Sequence, residues 1–292
     1  MTSPAIPLVS PARRIPWGYL GALAALTALS WGWSLRVAGA AHHGFPLWAR
    51  LAMWTTMMVG MMVPPEVPTL LRLAGDPRTE RGRAVVNASA LLCGYLSVWV
   101  VASAALGALD GWLAARGLMT HEMASLSVPL NVAILAAAGV VQLSPWKTAC
   151  LARCRSIPAE LGNVEVGKVS LGKVSLGKVS PLGKVSLGRV SNTFSGLEKV
   201  SHEKASNTFA GRWVIPLRSG FRHGLASVSS CGVLMLVLLV VGAMNWVAMA
   251  ALTGYLIVER LVPAPVAPLL GRVSGLGLLL WAGWFAIGTV AW

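Results

Sequence analysis

Long apolar runs separated by short basic stretches dominate the chain. No charged side chain occurs from Trp17 to Leu35, Ala84 to Leu109, Met123 to Trp146, Gly224 to Val258, or Val273 to Trp292. Lipid offers a backbone polar group no water, so each must bond within its own segment. Runs of this length therefore read as membrane-spanning helices. At ~1.5 Å per residue, about 20 residues cross the ~30 Å hydrocarbon layer. The pattern predicts spans near 17–35, 48–63, 84–109, 125–145, 225–242, 246–262 and 273–292. As one helix the run after Gly224 would reach roughly 50 Å, so it is divided at Gly242-Ala243-Met244-Asn245. The second span is expected to stop at Pro64-Pro65. These prolines and Pro129 are weak pointers to broken helices of the kind transporters use. The expected fold is all-α, a polytopic transmembrane helix bundle of about seven spans, or six if the second or sixth is re-entrant.

Of 292 residues, 55% are hydrophobic and only 12% charged, against roughly a quarter charged in a soluble domain. The net charge of +14 lies between the apolar runs, as cytoplasmic loops beside anionic lipid require. Arg13, Arg14, Arg72, Arg78, Arg81, Arg83, Lys147, Arg153, Arg155, Arg260 and Arg272 fall on one side, and only Arg36, Arg50 and Arg116 on the other. This places the N-terminus in the cytoplasm and Trp292 outside, in a bacterial inner membrane. No nucleic-acid partner is expected, because no basic face alternates with aromatics. Trp17, Trp48, Trp112, Trp146, Trp246 and Trp292 fall near span ends, where indole rings favour the headgroup layer. Arg13-Arg14 before the first run and Ala38-Gly39-Ala40 after it imitate a signal peptide, but the run is long enough to be a retained helix.

A repeat interrupts the middle of the chain. Val169-Ser170-Leu171-Gly172-Lys173 recurs at Val174–Lys178 and, after Pro181, at Val185–Arg189; Ser-Asn-Thr-Phe occurs at Ser191–Phe194 and Ser206–Phe209. An odd period would turn alternate copies of a strand to opposite faces. Too few copies are present to stack a solenoid core. A disordered cytoplasmic loop is expected. The organisation is thus an N-terminal segment 1–16, helices over 17–155, a basic low-complexity loop over 156–215, and helices over 216–292.

Few residues could carry chemistry. Met53, Met57 and Met61 share one helical stripe, with Met58 and Met62 beside it. Thioethers suit Cu(I), and equally they fill gaps between helices. Cys150 and Cys154 are one helical turn apart after the fourth span. They are either a grip for one soft ion, Cu(I) or Zn(II), or two interface thiols. His223 opens the fifth span, and Cys231 lies about 12 Å further along it at ~1.5 Å per residue. Cys93 reads as packing. Glu66 reads equally as a functional acid near lipid or as solvated beyond the helix end. Glu259 and Arg260 read as a snorkelling pair. No Walker loop, dinucleotide fingerprint, His-Glu-x-x-His or Ser-His-Asp set is present, so no enzymatic activity is expected.

Three blocks carry a family resemblance: Trp54–Pro68; Gln142-Leu143-Ser144-Pro145-Trp146-Lys147-Thr148-Ala149-Cys150-Leu151-Ala152-Arg153-Cys154-Arg155; and His223-Gly224 with Cys231, Met235, Gly242–Asn245 and Glu259. Together they resemble bacterial integral membrane proteins described as predicted metal-binding, a domain-of-unknown-function family with some members labelled copper chaperone. The resemblance implies a multi-spanning fold and a metal site using Cys150, Cys154 and His223. The family places three cysteines in the turns after the His-Gly pair, where this chain has Ser227, Ser230 and Cys231. The expected function is to bind or hand on a soft metal ion, copper, through Cys150, Cys154, His223, Cys231, Met57, Met58, Met61 and Met62. A metal-delivering or metal-receiving protein would be its partner. The alternatives are a non-catalytic subunit of a membrane complex with a degenerate site, and a small-solute transporter built on Asn87, Ser89, Asn131 and Gln142.

Overall fold

The computed structural model describes residues 16–40, 46–76, 79–120, 122–152, 154, 209–263 and 266–290. The N-terminal arginines Arg13 and Arg14, the repeat insert, Arg153, Arg155 and Trp292 lie outside the described residues. The helices are α1 (Trp17–Ala40), α2 (Leu47–Ala74), α3 (Arg81–Ala115), α4 (Val128–Leu143), α5 (Pro145–Ala152), α6 (Phe209–Val241), α7 (Trp246–Leu261) and α8 (Ala267–Val290). Among the described residues there is no strand, only an isolated bridge between Met119 and Ser125. The all-α expectation holds. Of the described helices, three have the length and apolar character to cross a membrane: α3, α6 over Trp213–Val241, and α8 over Ala267–Ile287. A fourth is added if α4 and α5, bent by 64° at Ser144, count as one span. Fewer of the described helices combine that length and apolar character than the apolar pattern predicts.

Helices α2, α3 and α6 form the centre. The face of α3 meets both α2 and α6, α1 lies on α2, α4 joins α6 to α8, and α7 lies on α2. Trp54, Met57, Met58, Met61, Tyr95, Trp99 and Met235 fill the space between them. Gly94 of α3 and Gly220 of α6 allow the two backbones to touch. A Cβ on Gly94 would meet the Leu217 carbonyl oxygen at 2.1 Å, and one on Gly220 would meet that of Leu91 at 2.0 Å.

Helix α2 corrects one expectation. It does not stop at Pro64-Pro65 but runs through Pro64, Pro65 and Pro68 to Ala74. A proline has no N–H, so Pro64 leaves the carbonyl of Gly60, four residues earlier, without its helical donor. The Trp31 indole of α1 donates to that same carbonyl at 3.1 Å. A neighbouring helix thus supplies what the proline removes, as helices in apolar surroundings require. Pro129 lies in the first turn of α4, where a missing N–H costs nothing, so it starts that helix rather than breaking it.

The predicted division after Val241 is present. Gly242 takes φ +106°, a left-handed conformation that closes α6, and Asn245 caps α7 by accepting from the Ala248 N–H at 3.1 Å. The segment before α4 seals this turn: Ser125 N–H donates to Leu239 O (2.7 Å) and Met244 N–H to Glu122 O (3.2 Å). Helix α6 begins at Phe209, so the last residues of the 156–215 stretch are helical.

Candidate metal centre

Four helices bring polar side chains to one buried point. Helix α6 contributes His223, Ser227 and Cys231, spaced so that they share one face. Helix α2 contributes Glu66, α3 Tyr95 and α7 Arg260. Glu66, His223, Ser227 and Cys231 are all buried. The continuation of α2 past its prolines is what carries Glu66 into the bundle.

Glu66 ties the group together. Its Oε2 is 2.7 Å from His223 Nε2, and its Oε1 is 2.8 Å from Arg260 Nη2. An ionised carboxylate only accepts, so Nε2 carries the hydrogen and donates to Glu66. In the neutral ring the lone pair then sits on Nδ1. Nδ1 is buried. The Cys154 side chain, just beyond α5, lies within interaction range of this ring and is itself buried. Tyr95 flanks the ring with centroids 5.3 Å apart. Arg260 also donates to Ser227 Oγ at 3.1 Å, and Tyr95 Oη is 3.3 Å from the same oxygen. Cys231 donates its thiol hydrogen to the Ser227 carbonyl at 2.9 Å.

A second polar group adjoins the first. Lys147 forms a buried ion pair with Glu259 and a hydrogen bond with Gln142. Tyr255 Oη donates to Glu259 Oε1 at 3.3 Å and is 2.9 Å from Ser274 Oγ. A third pair, Arg50 and Asp110 at 2.6 Å, joins α2 to α3 well away from Glu66.

One open alternative closes here and two expectations change. Glu66 is not solvated; it is 1% exposed and doubly paired. Glu259 and Arg260 are not a snorkelling pair, because adjacent helical residues point apart and each finds its own buried partner, Lys147 and Glu66. Cys93 is exposed rather than packed. Of the candidate ligands, Cys154 and His223 lie together, Cys231 lies deeper on the same face, and Cys150 is buried one turn before Cys154. Met57, Met58, Met61 and Met62 are all buried in the core. Among the described residues, no group of three or more His, Cys, Asp or Glu side chains is placed to hold a metal ion. Sequence reasoning missed Tyr95 and Lys147 as members of these networks. Their only signal is that Tyr95 is a polar side chain within a long apolar run and Lys147 directly follows one.

Buried ion pairs, thiols and an imidazole set within apolar helices define a helical-bundle protein with a polar centre. The chain belongs to the PpoB2 copper chaperone family, whose model matches residues 51–180 and 178–285. That membership points to copper handling. No curated protein and no solved structure matches the chain.

Proposed function

We propose that the protein is a multi-spanning inner-membrane copper carrier that holds Cu(I) between Cys154 Sγ and His223 Nδ1. The observation that carries the reading is a buried imidazole with Glu66 on its Nε2 and the buried Cys154 side chain within reach of the ring. A carboxylate on the far nitrogen fixes the tautomer and orients a ligating imidazole, the usual second support of a metal-bound histidine. Thiolate and imidazole are soft and borderline donors suited to Cu(I). Charge supports a monovalent ion. Glu66 and Arg260 offset one another, and a Cys154 thiolate offsets one positive charge. A divalent ion would leave a net charge in a medium that penalises it. Zn(II) would also want four donors. Cys150 and Cys231 serve as neighbouring sulfurs for transfer, with Met57, Met58, Met61 and Met62 as a thioether path. The role is non-catalytic, and the carrier exchanges copper with a delivering or receiving protein.

The bilayer reading has its own support. Leu280, Trp284 and Ile287 of α8 are exposed, as lipid-facing side chains are. Trp17, Trp48, Trp112, Trp146 and Trp246 are exposed near helix ends. The reading keeps seven crossings, with the N-terminus and the repeat loop cytoplasmic. Helices α1, α2 and α7 cross as parts of the packed bundle.

A second reading is a complex subunit with a degenerate site. It is favoured by Ser227, which stands where the family resemblance places a cysteine and whose hydroxyl is engaged by Arg260. Metal content after purification under reducing conditions separates the two. We expect copper in the native protein and its loss in Cys154→Ser with His223→Ala. Unchanged copper in the double variant removes this site. A stoichiometric protein partner with no copper supports the second reading.

A further inference from the structure

Met53 and Met57 of α2, Met244 of the α6–α7 turn and Met249 of α7 line one recess together with Trp31 and Trp246. Met53, Met57 and Met249 are buried, and Met244 is half-buried. The recess is distinct from the His223 group. From Met57 to Glu66 the α2 axis rises roughly 13 Å, and from Met249 to Arg260 the α7 axis rises roughly 16 Å, at ~1.5 Å per residue. Both displacements run away from the end of the bundle that carries the Gly242 turn, so the recess and the His223 group lie toward opposite ends.

We infer that this recess is a second copper site, an all-thioether cradle for Cu(I) at the end of the molecule away from His223. It rests on the copper reading above. The chemistry follows from the lining. No charged side chain and no imidazole lines the recess, so hard cations find nothing to bind. Four methionines from α2, α7 and the turn before α7 line the recess, so a soft ion there would find thioethers and no harder charged donor. A single methionine filling a packing gap would not need the others beside it. Thioethers carry no charge, so the ion keeps its single positive charge; apolar surroundings penalise that charge, and the ion is held loosely enough to move on. The Gly242 turn sets the geometry by bringing Met244 beside Met249, and Asn245 anchors it by capping α7. Met57, shared with the thioether path, would pass the ion inward along α2.

The two sites differ in their response to acid. Thioethers do not protonate, whereas thiolate and imidazole lose metal as protons compete for them. The full-length protein in detergent is titrated with Cu(I) against a chromogenic Cu(I) chelator at neutral pH and at about pH 5, where protons displace metal from thiolate and imidazole. We expect two equivalents at neutral pH and one at acid pH. Leucine keeps the volume of methionine without its sulfur. The variant Met53→Leu, Met57→Leu, Met244→Leu, Met249→Leu should bind one equivalent at neutral pH and none at acid pH. Cys154→Ser with His223→Ala should bind one at both. The inference is overturned if the four-leucine variant binds like the native protein at both pH values. It is equally overturned if Met235→Leu, a buried methionine outside the recess, removes the acid-resistant equivalent as well. If the Cys/His variant matches the native protein while the four-leucine variant loses one equivalent, the His223 reading fails and the cradle stands.

Discussion

Glu66 is an acid on a helix whose other buried side chains are apolar or thioether. Its burial is tolerated because two partners, His223 and Arg260, share its two oxygens. Removing one member of such a pair leaves an uncompensated charge and costs about 3–5 kcal/mol. Glu66→Ala should therefore lower the denaturant midpoint of the purified protein by a corresponding amount, with Arg260 stranded. Glu66→Gln separates stability from binding. The amide keeps a hydrogen-bond acceptor for His223 but loses the charge that orients the ring. Copper affinity should fall roughly 10–100-fold, as for other outer-shell partners of a ligating histidine. An unchanged affinity in the chelator titration would mean that Nδ1 is not a ligand. Cys154 and His223 were readable as candidates because thiols and imidazoles are rare in this chain. Arg260 was not readable as Glu66's partner, because its sequence neighbour Glu259 offers a nearer-looking one.

Helix α2 shows how far periodicity and propensity reach at the next scale. The apolar run and the methionine stripe predict a helix, and the prolines predict its end. The end is wrong because Trp31, on a different helix, supplies the donor that Pro64 lacks. Trp31→Phe should leave the Gly60 carbonyl buried and unpaired, at a cost of about 1–3 kcal/mol. Pro64→Ala restores the helical N–H, so in that background Trp31→Phe should cost clearly less. A double-mutant cycle of unfolding free energies checks this, and additive costs would remove the indole from the account. By contrast, the division of α6 from α7 was legible. Only glycine enters the left-handed region freely, and asparagine is a strong N-cap, so Gly242-Ala243-Met244-Asn245 marks a stop and a start.

At the scale of the molecule the orientation remains open to direct measurement. On the topology proposed above, the segment around Met119 is outside and the repeat loop inside. Alkaline phosphatase, which is active only outside the cytoplasm, should be active when fused after Met119 and inactive when fused after Ser201. The reverse pattern would invert the bundle and put Cys154 and His223 at the outer face. The family match covers both sides of the repeat, in segments that meet at residues 178–180. The helices before and after the repeat build one centre, since α2 and α3 meet α6 and α7. The insert therefore interrupts the chain without separating the halves of the site.

Local chemistry was enough to establish helices, because uncharged runs of this length can satisfy their backbones in apolar surroundings only by helical hydrogen bonds. It was also enough to single out the sulfur and imidazole side chains, which have few alternatives in composition. Pairing was decided in three dimensions. Whether Arg260 meets Glu259 or Glu66, whether Gly60 finds an indole, and whether Met53 meets Met249 all depend on which helix faces reach one another. Those contacts join residues far apart in the chain, and no pattern along one strand of sequence encodes the angle at which two helices cross.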